Sequence, residues 1–139
     1  MLYIYDERSY DRYHEKSDRI YRITSTTDFE GVAEHSSSCP SPLGPTIAAE
    51  YPQLIANMTR VFSDWSSEFF IEYENHGYRE KRFFFVDSTF TGIFDVRFLR
   101  GNPADALSAP FTALITESTA KRYFGDKDPI GKIIKLEGK

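Results

Sequence analysis

A chain with 12 phenylalanines and 9 tyrosines among 139 residues has to set those rings against a core or against a partner. Such a density excludes a disordered segment, because disordered chains are poor in aromatics. The apolar stretches that carry the rings are short. None approaches the roughly 20 residues of a membrane span. Turn residues interrupt them at Asn75-His76-Gly77, Gly101-Asn102-Pro103 and Asp128-Pro129-Ile130-Gly131. Short strands and short helices packed in layers therefore suit this chain better than a bundle or a long parallel sheet. Its length fits one domain.

The local patterns are specific enough to predict elements. Tyr10, Tyr13 and Ser17 lie at helical spacing, which predicts a helix over residues 6–18. Arg19 to Ser25 is rich in β-branched and aromatic residues and reads as a strand, and residues 26–40 read as a strand end and a polar loop. Ser41-Pro42 offers a helix cap with proline at the first turn, and Leu43, Ile47 and Tyr51 make one apolar stripe that Pro52 ends. Strands are predicted over 54–63, 67–74 and 79–87, the last two joined by a turn at residues 75–77. Phe83 and Phe85 would face one side of their strand, and Phe84 and Val86 the other, so both faces should be covered. Asp87-Ser88 is a cap for a short helix through Phe94, and residues 104–107 suit another helical turn. Phe111 to Thr116 looks like a buried strand. Thr116 then caps a helix over 117–124, Gly125 ends it in a left-handed conformation, and a last strand runs from Lys132 to Leu136. The expected class is α+β.

The chemistry-bearing residues form no catalytic pattern. His14, His35 and His76 are too far apart for a helical zinc pair, and Cys39 is a single cysteine with no disulfide partner in the chain. His35 and Cys39, four apart, lie in a serine-rich loop. Glu72, Glu74 and Asp87 are the carboxylates a hydrolase would use. A ladder of Glu72 and Glu74 against Lys81 and Arg82 is the simpler account. Gly125 to Lys132 imitates a phosphate-binding loop but has one residue too many, and Ile133 stands where Ser or Thr is required. Net charge is −4, from 17 basic and 21 acidic residues, and both signs are mixed along the chain. Nothing in it makes a basic footprint for nucleic acid. No catalytic, cofactor-binding or metal-binding residue is assigned. The surface most open to an interaction is aromatic, at Trp65, Phe69, Tyr73 and Tyr78.

Four segments in register resemble one family. Ser9-Tyr10-Asp11 with His14 and Arg19-Ile20-Tyr21-Arg22 is similar to the segment that follows the first membrane helix of MacB-like permeases. Pro40-Ser41-Pro42-Leu43 leading to Glu50-Tyr51-Pro52 resembles the family's next helix. Val86-Asp87 with Phe90 and Ile93-Phe94 fits a third motif. Leu114-Ile115-Thr116-Glu117-Ser118 to Tyr123-Phe124-Gly125, then Asp128-Pro129-Ile130-Gly131-Lys132, closely resembles a fourth.

The resemblance implies a MacB-like periplasmic core domain of an ABC-transporter permease of the MacB/FtsX type. It implies a mixed sheet with short helices on it, with porter-like βαβ elements and a smaller variable lobe. Residues 1–139 would form one domain, with a membrane-proximal helix over 1–18 and an α+β body over 19–139, cut short at its C-terminal edge. The implied place is the inner membrane, on its periplasmic face. The implied partners are a permease dimer mate, a cytoplasmic ATPase acting through the membrane helices, and a periplasmic adaptor or a peptide or lipoprotein substrate. The motifs themselves read as folding determinants, with Tyr21 and Phe124 in the core. A body that transmits ATP-driven motion for export is one expected role, and a peptide- or ligand-binding sensor is the alternative. No enzymatic role is expected.

Overall fold

A computed structural model describes residues 13–64 and 68–137. The chain divides into two compact units, Met1–Arg60 with Thr89–Val96 and Val61–Ser88 with Arg97–Lys139. Short helices and small sheets give the expected α+β class. Every strand pair among the described residues is antiparallel, so the parallel pairing that a βαβ unit needs is not among them.

In the first unit a 3-10 turn at Ser17–Arg19 is the only helical piece in the described part of residues 6–18. Residues 20–24 lie outside any ladder, and Tyr21, expected in the core, is exposed. The strand comes later than predicted. β1 (Ser25–Phe29) and β2 (Val32–Ser36) form a hairpin over the stretch expected to hold a strand end and a loop. The turn decides this. Glu30 and Gly31 take φ of 52° and 82°, the two positive values that a two-residue hairpin needs. Thr26 Oγ1 and His35 Nδ1, 2.9 Å apart, link the two strands.

The helix α1 runs over Leu43–Glu50, with Leu43 and Ile47 half-buried and Tyr51 largely exposed. Ser41 does not cap it. Its hydroxyl accepts from Arg60 Nη1 at 3.2 Å, and Pro42 takes the flanking position. A single turn, α2 (Phe90–Ile93), begins after Thr89 rather than at Asp87-Ser88.

The second unit holds the apolar core. β4 (Phe69–Tyr73) lies between β5 (His76–Glu80) and β7 (Lys135–Glu137). The β4–β5 turn falls at Glu74-Asn75, with φ of 46° and 64°. Asparagine tolerates that conformation, so the turn does not need Gly77. Gly77 instead sits within β5 beneath the Phe70 ring, where a Cβ would lie 2.1 Å from Phe70 Cζ. A separate two-residue ribbon pairs β3 (Val61–Phe62) with β6 (Phe85–Val86). Phe84 and Phe85 are both partly exposed, so this segment is not covered on its two faces.

Alternation along β4 puts Phe69, Ile71 and Tyr73 on one face, with Ile71 only 2% exposed. The helix α3 (Glu117–Phe124) docks there through Tyr123 and Phe124, and Tyr78, Phe83, Ala120 and Ile134 pack around them. Each fully buried side chain of this kind contributes about 1.5–3 kcal/mol. The boundaries of α3 are those expected. Thr116 Oγ1 accepts from Thr119 N–H at 3.2 Å, and Gly125 closes the helix at φ 61°. Gly131, at φ 72°, supplies the turn whose Lys132 N–H donates to Pro129 O, and the chain then returns to β4 as β7.

The run Phe111 to Thr116 joins no ladder. Phe111 has φ 61° and is fully exposed, and Leu114 and Ile115 are partly exposed. An apolar run becomes a buried strand only where a neighbouring strand takes up its backbone groups, and no described strand lies beside this one.

The capping bond at Thr116 gives a first prediction. Thr116→Ala should lower thermal stability by about 1 kcal/mol, while Thr116→Ser should retain most of it. Parallel melts of the three proteins check this, and equal loss in both variants would assign the effect to something other than the cap.

Candidate functional site

Of the aromatic residues singled out in the sequence, Phe69, Tyr73 and Tyr78 occupy the inner side of the three-stranded sheet rather than a surface. Tyr73 is 8% exposed, with its ring 4.5 Å from that of Phe124 in an edge-on arrangement. Tyr78 is half-buried and lies 4.2 Å from the Tyr123 ring, which places it against the docked helix. Phe69 is half-buried between Phe83 at 4.8 Å and Phe85 at 5.8 Å. Strand alternation explains all three, because Phe69, Tyr73 and the partner of Ile71, Tyr78, share one face. Trp65 lies outside the described residues. Around the β3–β6 ribbon, Phe62, which is 61% exposed, Phe84 and Phe85 reach solvent. Phe62 and Phe85 pair across the ribbon with ring centres 6.1 Å apart.

Polar groups join the sheet to the helix. Glu80 Oε1 accepts from both Arg122 Nη2 and the Tyr123 hydroxyl, tying β5 to α3. Arg122 also lies over the Tyr123 ring, 5.3 Å from its centre. The hydrogen bond to Glu80 raises the Arg122 guanidinium above its ordinary value. Burial first, and then the bond to Glu80, holds the Tyr123 phenol well above the usual tyrosine range. Sequence reasoning gave no weight to Glu80 or Arg122. The signal was there for Glu80, which stands two residues from Tyr78 and so shares its face.

A second tie lies at the β4–β5 turn. Glu74 accepts from the Tyr73 hydroxyl at 2.9 Å and from Lys127 Nζ at 3.1 Å. The lysine bond, and then the tyrosine bond, lowers the Glu74 carboxyl below its usual range. The same contacts raise Tyr73 through its bond to Glu74 and raise Lys127 through the paired carboxylate. The expected ladder of Glu72 and Glu74 against Lys81 and Arg82 does not form, because Glu74 lies in the turn and the carboxylates take other cations. Glu72 pairs with Lys135 at 3.5 Å, Glu74 with Lys127, and Lys81 with Glu68 at 3.4 Å. Glu72 and Glu74 do not converge, because Glu74 has left the strand for the turn.

In the first unit His35 is engaged with Thr26, and Cys39 Sγ donates to Ile23 O at 3.5 Å. Groups of three or more metal-ligating side chains are not present among the described residues. The residues that sequence analysis left unassigned but the structure brings together are His14 and Asp95. Asp95 N–H donates to His14 Nδ1 at 2.9 Å, and His14 is 5% exposed.

The Tyr123–Glu80 contact carries a pH dependence. The phenol is raised in the folded state, so its contribution is complete below tyrosine's ordinary value near pH 10 and is lost as pH rises toward the higher folded value. Alkaline titration of phenolate absorbance should show a late-ionising tyrosine that Tyr123→Phe removes and Glu80→Gln brings earlier. An unchanged titration in both variants would contradict this assignment.

No curated protein and no solved structure matches the chain. The family model for the MacB-like periplasmic core domain matches residues 1–139. No described helix is long and apolar enough to cross a membrane. The chain belongs to the MacB-like periplasmic core domain family, periplasmic domains of ABC-transporter permeases.

Proposed function

We propose that this domain is a mechanical element of its permease, which receives ATP-driven movement of the membrane helices and passes it to the handling of an envelope substrate. The observation that carries the reading is the Glu80 junction. One carboxylate binds a helical arginine and a buried tyrosine at once, across 42 and 43 residues of sequence. Such a junction resists sliding of α3 along the sheet, because the buried Tyr123 would lose the acceptor of its hydroxyl. The Glu74–Lys127 pair, 53 residues apart, adds a weaker, exposed tie at the β4–β5 turn. A body that carries displacement has to hold its elements in fixed register, and these contacts favour that role over catalysis. No chemical step is assigned to the domain.

The partners in this reading are a dimer mate, a cytoplasmic ATPase acting through the membrane helices, and a periplasmic adaptor or a peptide or lipoprotein substrate. The test is reconstitution of the whole permease with its ATPase. Removing residues 6–136 should abolish transport and make ATP turnover insensitive to substrate. Transport at the parent rate after that deletion would end the mechanical reading.

A second reading has its own observation. Phe62 and Phe85 present a paired aromatic surface on the β3–β6 ribbon, suited to an amphipathic peptide. If the domain is a sensor, Trp65 emission should respond to a panel of cationic amphipathic peptides, and Phe62→Ala with Phe85→Ala should weaken that response at least about tenfold. A response that the double variant leaves intact would place any binding elsewhere.

A further inference from the structure

His14 is the buried polar side chain of the described residues, and its surroundings are specific. Its ring is held by Tyr13, with centres 3.9 Å apart, and by Phe94 in an edge-on contact at 5.3 Å. Nδ1 accepts the Asp95 N–H, so in the neutral ring the proton is on Nε2. The Asp95 carboxylate returns the contact by accepting the Glu15 N–H at 2.6 Å, and its Oδ2 lies 3.7 Å from His14 Nδ1. Lys16 Nζ donates to Gly92 O at 3.0 Å, at the end of α2. Each of two segments about 80 residues apart thus supplies a side-chain acceptor for a backbone N–H of the other. A single hydrogen bond between distant segments can be replaced by water. A reciprocal set around a buried ring is lost only together.

The contacts continue inward. Thr89 Oγ1, just ahead of α2, donates to Met58 O at 2.6 Å. Gly92 lies so close to Asn57 that a Cβ there would be 3.0 Å from its Nδ2. Met58 in turn presses on Gly44 of α1, with Sδ 3.1 Å from where a Cβ would stand. Glycine at 44 and at 92 permits both close approaches.

We infer that residues 14–16 and 92–95 form a clasp that fixes the start of the described chain to α2, and that a displacement of the chain ahead of Tyr13 enters the first unit there and reaches α1 through Asn57 and Met58. This inference rests on the mechanical reading above. His14 is a positioning residue in it, acting through Asp95. The contacts make a contiguous physical path, and coupling along it is a measurable quantity.

The experiment uses the reconstituted permease with its ATPase and reads hydrogen exchange at residues 92–97 together with substrate-stimulated ATP turnover. His14→Phe keeps the ring packing and removes the acceptor. His14→Asn replaces the acceptor with an amide oxygen. The phenylalanine variant should exchange at the Asp95 amide about tenfold faster and lose substrate stimulation, and the asparagine variant should recover both in part. If His14→Phe compromises folding, Lys16→Met opens the same clasp from an exposed position and should act in the same direction. Faster exchange with stimulation intact overturns the clasp as an entry point for motion. Unchanged exchange overturns the clasp itself. Loss of the mechanical reading would show separately, as a domain deletion without effect while exchange at Asp95 still responds to His14→Phe.

Discussion

The fold of the second unit depends on docking α3 against the inner face of β4. Ile71 and Tyr73 from the strand meet Tyr123 and Phe124 from the helix, and these four are the buried hydrophobic side chains among the described residues. A core so small gives each member a large share of the stability, since a single domain is held by only about 5–15 kcal/mol. The docking also creates the polar contacts that surround it. Tyr123 brings its hydroxyl to Glu80 with its ring packed on Tyr78, and Arg122 stands one position before it in the helix. Without the apolar contact these charged groups would gain little, because exposed ion pairs are weak in water.

The first unit is held differently. Its described hydrophobic side chains are at most half-buried, and its contacts are hydrogen bonds, ring contacts around His14 and Phe94, and side chains set close against Gly44 and Gly92. The β1–β2 hairpin is a two-stranded sheet of mainly polar residues, a kind of element that is marginal in water by itself. The two units thus differ in what holds them. One has a compact apolar core crossed by ion pairs. The other is a set of short elements fixed by directed polar contacts, with the His14–Asp95 clasp as its most buried point.

The motifs that mark the family fall on these determinants. Thr116 caps α3, Gly125 closes it, and Gly131 turns the chain back toward the sheet. His14 of the first motif is the clasp residue, and Phe94 of the third packs on its ring. They place backbone and ring atoms.

How much of this was legible beforehand varies with the range of the interaction. The cap at Thr116, the glycine stop at Gly125, the turn at 128–131 and the α+β class are local matters, settled by residues within a few positions of one another, and the sequence alone determined them. The tertiary structure decided which apolar runs found partners. It moved the first strand from 19–25 to a hairpin at 25–36, left Phe111 to Thr116 unpaired, and turned Tyr73 and Tyr78 from an expected surface to the inner face of the sheet. It also chose the partners of Glu80, His14 and Glu74, which lie 42 to 81 residues away along the chain. A cap is a property of one turn of backbone. A buried ring or a paired charge is a property of whatever the rest of the chain brings beside it, and no local pattern carries that information.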